Sequence, residues 1–352
     1  MKRFIAVFLL LSIVLSFASC KKDDPIDPDP GTQSVPISFD IVKTRDIVLG
    51  NEVDTVELTT RTGEKFTFDN TADFYDIFNK VGFNFVEEGK LYSCSGETQL
   101  GDKSKSYTNM NMYYIDDPAL EHATIDEFRT KKEGDDNVAL VEEYTYGYRT
   151  EGGYLKTEGF SRYEYKDEKA FCGGVTHEDG YKVYKSDKYP MIPESGSEFA
   201  DMQSRAYYLK NLLIYTAFFT KYEAHEAENG TVYDFDQFIT REYKLYENYI
   251  VFKYTAPFIA LNLGFGQDTD LAYRQLTNAD WSVTQEAYCN VKTGEIEFVK
   301  VYGETGWTTG EYWNIKAVFD IKIYVHDIDK DEVKNKTDAL INYVKSNTTV
   351  VD

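Results

Sequence analysis

Two histidines one helical turn apart around a glutamate are what a zinc peptidase needs, because both imidazoles must reach one ion while the carboxylate activates its water. The nearest approach is His225-Glu226-Ala227-Glu228-Asn229, where asparagine stands in the place of the second ligand. The other histidines, His122, His177 and His326, are dispersed. A nucleophile elbow requires Gly-x-Ser-x-Gly, and neither Glu194-Ser195-Gly196-Ser197 nor Ser93-Cys94-Ser95-Gly96 supplies it. Gly264-Phe265-Gly266 lacks the third glycine and the lysine of a phosphate-cradling loop. Asp327, Asp329, Asp331 and Asp338 fit part of a calcium loop, but Glu332 stands where its sharp turn demands glycine. A helix start explains the same acids, with Asp331 as N-cap and Glu332 in the first turn. Glycoside hydrolysis needs one particular pair of carboxylates, which 60 acids do not single out. The sequence therefore names no catalytic residue, implies no cofactor and points away from an enzyme.

Binding chemistry is better represented. Trp281, Trp307, Tyr312 and Trp313 cluster in the last third of the chain with Tyr302 nearby, and flat rings with polar handles are how proteins stack on sugars. Trp307 sits in the glycine-rich stretch 303–310, read as a loop. A second reading is an apolar cavity lined by Leu212, Phe219, Phe252 and Phe258, beneath a long apolar helix.

Composition narrows the partners. With 38 basic against 60 acidic residues the formal charge is -22, which disfavours nucleic acid and anionic lipid surfaces, since both must be met by clustered cations. Twenty-nine tyrosines, 23 phenylalanines and 3 tryptophans belong to a packed core rather than a solvated coil. Beyond the N-terminus no stretch reaches the roughly 18 apolar residues of a membrane helix.

The N-terminus carries an address. Lys2 and Arg3 precede an apolar run from Phe4 to Phe17, the pattern of an export signal. Phe17-Ala18-Ser19-Cys20 resembles the lipobox of bacterial lipoproteins, with phenylalanine where leucine is usual. The resemblance implies cleavage after residue 19 and acylation of Cys20. Several acyl chains on one residue hold a membrane firmly, at about 0.8 kcal/mol per buried CH₂. Loss of residues 1–19 removes Lys2 and Arg3 and no acid, so the charge becomes -24. Residues 21–30, rich in Lys, Asp and Pro, look like the tether of Bacteroidota-type outer-membrane lipoproteins, which implies an outer-membrane and often cell-surface location, with the periplasmic face left open. Four of the eight prolines fall between Pro25 and Pro36, which keeps such a tether extended. Asp54-Thr55-Val56 resembles the acceptor for O-linked glycans on exported proteins of that group, making Thr55 a candidate modification site. The resemblance covers residues 1–30 and this triplet only.

Period-two patterning predicts strands over residues 37–42, 55–59, 65–69, 181–184, 239–246, 249–256, 282–291, 295–302 and 312–325, with hairpins at 139–148/154–165 and at Lys292-Thr293-Gly294. Cys172-Gly173-Gly174 reads as a turn. Helical spacing predicts helices over 71–81, from Asp116 to Arg129, over 199–227, and after Asp331 with Val333, Thr337, Leu340, Ile341 and Val344 on one face. Residues 1–19 are then a signal peptide, 20–35 a tether, and 36–352 one globular α+β domain, which can also be divided into two halves meeting near 190–198. Its expected centre is a large antiparallel, curved, half-barrel-like sheet with one long packed helix. Three mature cysteines, Cys94, Cys172 and Cys289, leave room for one disulfide, the pairing open. The expectation is a non-enzymatic surface binding protein for a glycan or protein partner, or alternatively a carrier of lipid in the half-barrel.

Overall fold

The structure, a computed structural model, describes residues 37–81, 87–101, 104–115, 123–150, 153–166, 168–177, 180–189, 224–226, 230–234, 236–256, 282–308 and 314–351. Thirteen strands form one antiparallel sheet. A first meander comprises β3 (Lys90–Leu100), β4 (Ser106–Ile115), β5 (Ala123–Lys132), β6 (Ala139–Thr150), β7 (Gly153–Tyr165), β8 (Glu168–His177) and β9 (Gly180–Lys185). The short pair β10 (His225–Glu226) and β11 (Val232–Tyr233) stands apart. A second meander comprises β12 (Thr240–Leu245), β13 (Tyr249–Ala256), β14 (Val283–Asn290), β15 (Ile296–Thr308) and β16 (Asn314–Asp327), and β17 (Thr349–Val351) pairs with β9. The meanders fuse where β16 pairs with β3, from Ala317 opposite Leu100 to Asp327 opposite Lys90. The sheet is open, with β12 and β17 at its two ends.

Because successive side chains alternate, every strand contributes to two faces. Ile250, Phe252, Tyr254 and Ala256 of β13, Cys94 of β3, Met110 and Met112 of β4, Phe128 of β5 and Val141 of β6 share one face and one continuous apolar core. Over it lie a hairpin of β1 (Thr55–Thr59) and β2 (Lys65–Asp69) and the helix α1 (Phe74–Val81). Asp73 starts that helix, accepting the amide protons of Tyr75 at 2.8 Å and Asp76 at 3.3 Å. Phe74, Ile77 and Val81 turn inward, and the Phe74 and Phe78 rings meet Phe252 edge to face at 5.7 and 5.5 Å. We call this the hairpin face.

On the opposite face, helix α2 (Lys330–Asn347) buries Val333, Leu340 and Val344 against Leu91, Tyr113, Ile125, Tyr144 and Phe160. Gly173 permits that approach: a Cβ there would stand 3.1 Å from the Phe160 ring and 3.4 Å from Val344. Beside α2, residues 37–50 run across the sheet as an extended strap, so this is the strap face.

Several expectations are corrected. The α+β balance is only partly met, since strands dominate and two α-helices are seen among the described residues. Residues 37–42 pair with no strand, because their polar contacts are with side chains. The helix expected to Arg129 is instead β5 over Ala123–Lys132, with Ile125 and Phe128 in cores on opposite faces; residues 116–122 lie outside the described set. Cys172-Gly173-Gly174 is the middle of β8. Asp329, not Asp331, caps α2, accepting from the amides of Asp331 and Glu332. The helix expected over 199–227 lies almost wholly outside the described residues, though His225 and Glu226 are strand. No disulfide links Cys94, Cys172 and Cys289, which are free thiols. Burial raises the Cys94 thiol, raises Cys289 to about 12, and with the Glu143 charge raises Cys172.

Candidate functional site

Strand β15 outruns its neighbours. Its pairing with β14 ends at Val283 opposite Gly303, and the β16–β3 pairing ends at Ala317, yet β15 and β16 continue together to Thr308 opposite Asn314. A two-stranded arm thus extends past the flanking strands among the described residues. Gly303 makes the exit feasible: at φ 136° it passes so close to Ser282 that a Cβ would lie 2.3 Å from that carbonyl oxygen. Trp307 lies on this arm, in strand and opposite Ile315, rather than in a loop. Trp281, Tyr312 and Trp313 lie outside the described residues.

At the base of the arm, on the strap face, the Glu286 carboxylate accepts the hydroxyls of Tyr302 and Tyr288, each at 2.9 Å. Lys300 holds its ammonium 4.4 Å from the Tyr302 ring centre. Both phenols are raised, first by burial and then by Glu286, so they remain protonated donors. Lys253 and Lys300 flank Glu286 in register on either side.

Of the four residues nominated for an apolar cavity, Leu212, Phe219 and Phe258 lie outside the described residues, and Phe252 is filled against by α1. Nearby on the same face, Gln285 is fully buried with neither amide atom hydrogen-bonded. Nothing in the sequence pattern marks it. A cleft of about 310 Å³ opens elsewhere, lined by Glu52, Val53, Asp54, Asn70, Tyr243, Lys244 and Leu245. Thr55 begins β1 beside Asp54 and is exposed.

Asp327 is paired with Lys90 at 2.7 Å, which lowers its pKa; Asp329 caps the helix and Asp331 occupies its first turn. Among the described residues no group of three or more His, Cys, Asp or Glu side chains is placed to hold a metal ion. Nor is any described helix long and apolar enough to cross a membrane. Cys20 lies outside the described residues.

The strap face also holds polar groups that the pattern did not reveal. Asn111 and Asn109 of β4 donate to the carbonyls of Ile41 and Phe39, both at 3.0 Å, and Ser93 of β3 accepts the Lys43 amide proton at 2.7 Å. A ring nitrogen of His326 lies 2.9 Å from the Lys43 carbonyl, and burial lowers that histidine's pKa. Lys43 pairs with Glu332, and Arg45 with Glu297 at 3.3 Å. Beside the strap, Glu127 pairs with Arg129 at 2.9 Å and Lys336 at 3.2 Å, while Arg162 pairs with Glu142 at 2.5 Å. Burial pushes the Glu127 carboxyl up, but Arg129, Lys336 and the Asn111 amide outweigh it and hold it below the usual carboxylate range.

Neither a family model nor a curated protein matches this chain. One solved structure, described as a β-barrel-like protein of domain of unknown function DUF1849 from Brucella abortus, is similar over 69% of this chain and 100% of its own, at 10% identity and a TM-score of 0.24. It adds nothing to what the strand pairing already shows.

Proposed function

We propose that this protein is a lipid-anchored, non-enzymatic binding protein of the outer membrane, displayed at the cell surface and engaging a glycan or protein partner through the β15–β16 arm. The observation that carries the reading is the arm itself: among the described residues it runs beyond both flanking strands and bears Trp307, with Trp313 and Tyr312 in the sequence joining its strands. A two-stranded extension offers two faces and a tip to a partner, and aromatic residues dominate binding energy at such contacts. Anchoring rests on the lipobox-like Phe17-Ala18-Ser19-Cys20 and the Pro-rich tether.

The test is a glycan array and a surface pull-down with intact protein and with Trp307→Ala. The expected result is loss of the captured ligand with an unchanged melting temperature. Unchanged capture overturns the arm as the site. For anchoring, Cys20→Ala is expected to release the protein from the membrane fraction, and a variant that stays there overturns that part.

A second reading, a carrier of an apolar ligand in a half-barrel-like sheet, is favoured by Gln285: a buried amide with no partner is a place for a ligand's one polar group. Native mass spectrometry of the purified protein decides it. A co-purified lipid lost in Gln285→Leu supports the carrier, and an empty protein removes it.

A further inference from the structure

Strand interiors rarely hold buried serine and asparagine, yet Ser93, Asn109 and Asn111 are 0%, 7% and 2% exposed on the strap face. Each hydrogen-bonds the main chain of the strap, at the Lys43 amide and the Phe39 and Ile41 carbonyls. Main-chain recognition is indifferent to which side chains the occupant carries. Selectivity comes from two acids, Glu332 and Glu297, which take the cations at 43 and 45, and from the half-buried Ile37, Phe39 and Ile41. Together these form a trough across β4, β3, β16 and β15 with the chemistry to bind an extended chain of alternating apolar residues followed by two spaced cations.

The present occupant is held unevenly. Residues 48–53 are pinned by main-chain bonds, with the Asn248 amide on the Leu49 carbonyl, the Glu247 amide on the Asn51 carbonyl, and the Val53 amide on the Leu245 carbonyl. Residues 37–45 make no ladder, and Ser38, Asp40, Lys43 and Thr44 are exposed. This upstream part can therefore lift about residues 46–47 while the sheet and the downstream part stay in place. Lifting strips partners from buried polar groups, so an opened trough favours refilling.

We propose that the trough is a recognition site for an extended peptide of a partner protein, with apolar side chains at alternate positions and basic residues beyond them, and that residues 37–45 are its built-in competitor. The proposal is independent of the arm. A tethered segment competes at an effective concentration on the order of millimolar, so the site is masked until the strap is weakened or outcompeted.

The experiment uses the intact chain and a fluorescein-labelled synthetic peptide copying residues 37–45, read by anisotropy. Lys43→Glu combined with Arg45→Glu is expected to tighten peptide binding by about tenfold or more over the unaltered protein, because the strap is the species weakened. Adding Asn111→Ala is expected to reverse the gain, and a scrambled peptide is expected not to bind. Equal affinity with and without the strap substitutions, or indifference to Asn111→Ala, overturns the proposal. So does a dimer that forms in place of peptide binding, which would make a second copy's strap the occupant. If the double variant does not fold, hydrogen exchange on the unaltered protein decides: the Lys43 amide should exchange through local opening, well ahead of Cys94, and equal protection of the two overturns the idea.

Discussion

On the hairpin face, Phe252 is sealed by the edges of two rings from α1; on the strap face, the cover is held by Lys43 to Glu332, Arg45 to Glu297, Lys336 to Glu127 and Tyr343 to Glu164 at 2.5 Å. One sheet thus carries two kinds of cover. The first depends on removing apolar area from water, which is non-directional and is not screened by salt as charge pairs are. The second depends on directional bonds between charged and polar groups, each of modest net worth but costly to leave unmade. The difference teaches where change can occur: a hydrophobic cover must come off as a unit, whereas a cover of separate polar contacts can open in part.

The comparison breaks first at Phe252. Phe252→Ala should cost about 3–5 kcal/mol, because α1 cannot collapse into the space left, and urea denaturation reads the loss directly. A cost below about 1 kcal/mol would mean that the hairpin face is loosely packed. Glu127→Ala should cost about 3 kcal/mol, since Arg129, only 10% exposed, keeps just the more distant Glu142 at 3.4 Å, and Lys336 loses its carboxylate. The same carboxylate gives an acid limb. Its folded pKa lies below the ordinary 4.5, so the unfolded chain takes up the proton first as pH falls. Its stabilisation is complete above that ordinary value and is lost as pH drops through the folded one; urea midpoints from pH 6 to pH 3 should fall less in Glu127→Gln. Gln285→Leu runs the other way: replacing an unpartnered amide with a side chain of similar size in an apolar setting should raise stability by about 1–2 kcal/mol, measured as a higher melting temperature. The smallest effect is expected at the exposed pair of Lys65 and Glu57, where Lys65→Ala should change stability by about 0.5 kcal/mol or less.

How far the sequence discloses this arrangement depends on the same contrast. Strands β13 to β16 are legible because Ile321 lies between Asp320 and Lys322, and Phe252, Ala287 and Val299 are each followed or preceded by a charged residue, Lys253, Glu286 and Lys300. Helix α2 is legible from the spacing of Val333, Leu340 and Val344, although its cap lies two residues earlier than the acid pattern suggests. Strands β3 and β4 give no such signal. Their apolar face is broken by Thr98 and Thr108, and their other face carries Ser93, Asn109 and Asn111, whose burial depends on a segment some 50 to 70 residues away. Strand β5 deceives for a related reason, since cover on both sides lets Ile125 and Phe128 sit at helical spacing on opposite faces. At the candidate site, the sequence points to Trp307 and Tyr302 through residue type alone. It does not disclose the carboxylate that bridges Tyr302 and Tyr288, because that contact depends on the pairing of β14 with β15.

The seam between β16 and β3 bears on how the molecule is made. Their partners are 217 to 237 residues apart in the chain, Ala317 with Leu100 and Asp327 with Lys90. A chain emerging from its N-terminus presents the whole β3–β9 meander with the inner edge of β3 bare, and the strand that covers it, β16 from Asn314, arrives only about 130 residues after β9 ends at Lys185. Late closure of so distant a pair is slow, because the loop entropy is lost before any contact compensates it. During that interval a long bare edge of unpaired amides and carbonyls is a template for the wrong chain. The vulnerable species is thus the polypeptide that already carries β3 to β15 but not yet β16, and a chaperone that guards it has one particular edge to shield.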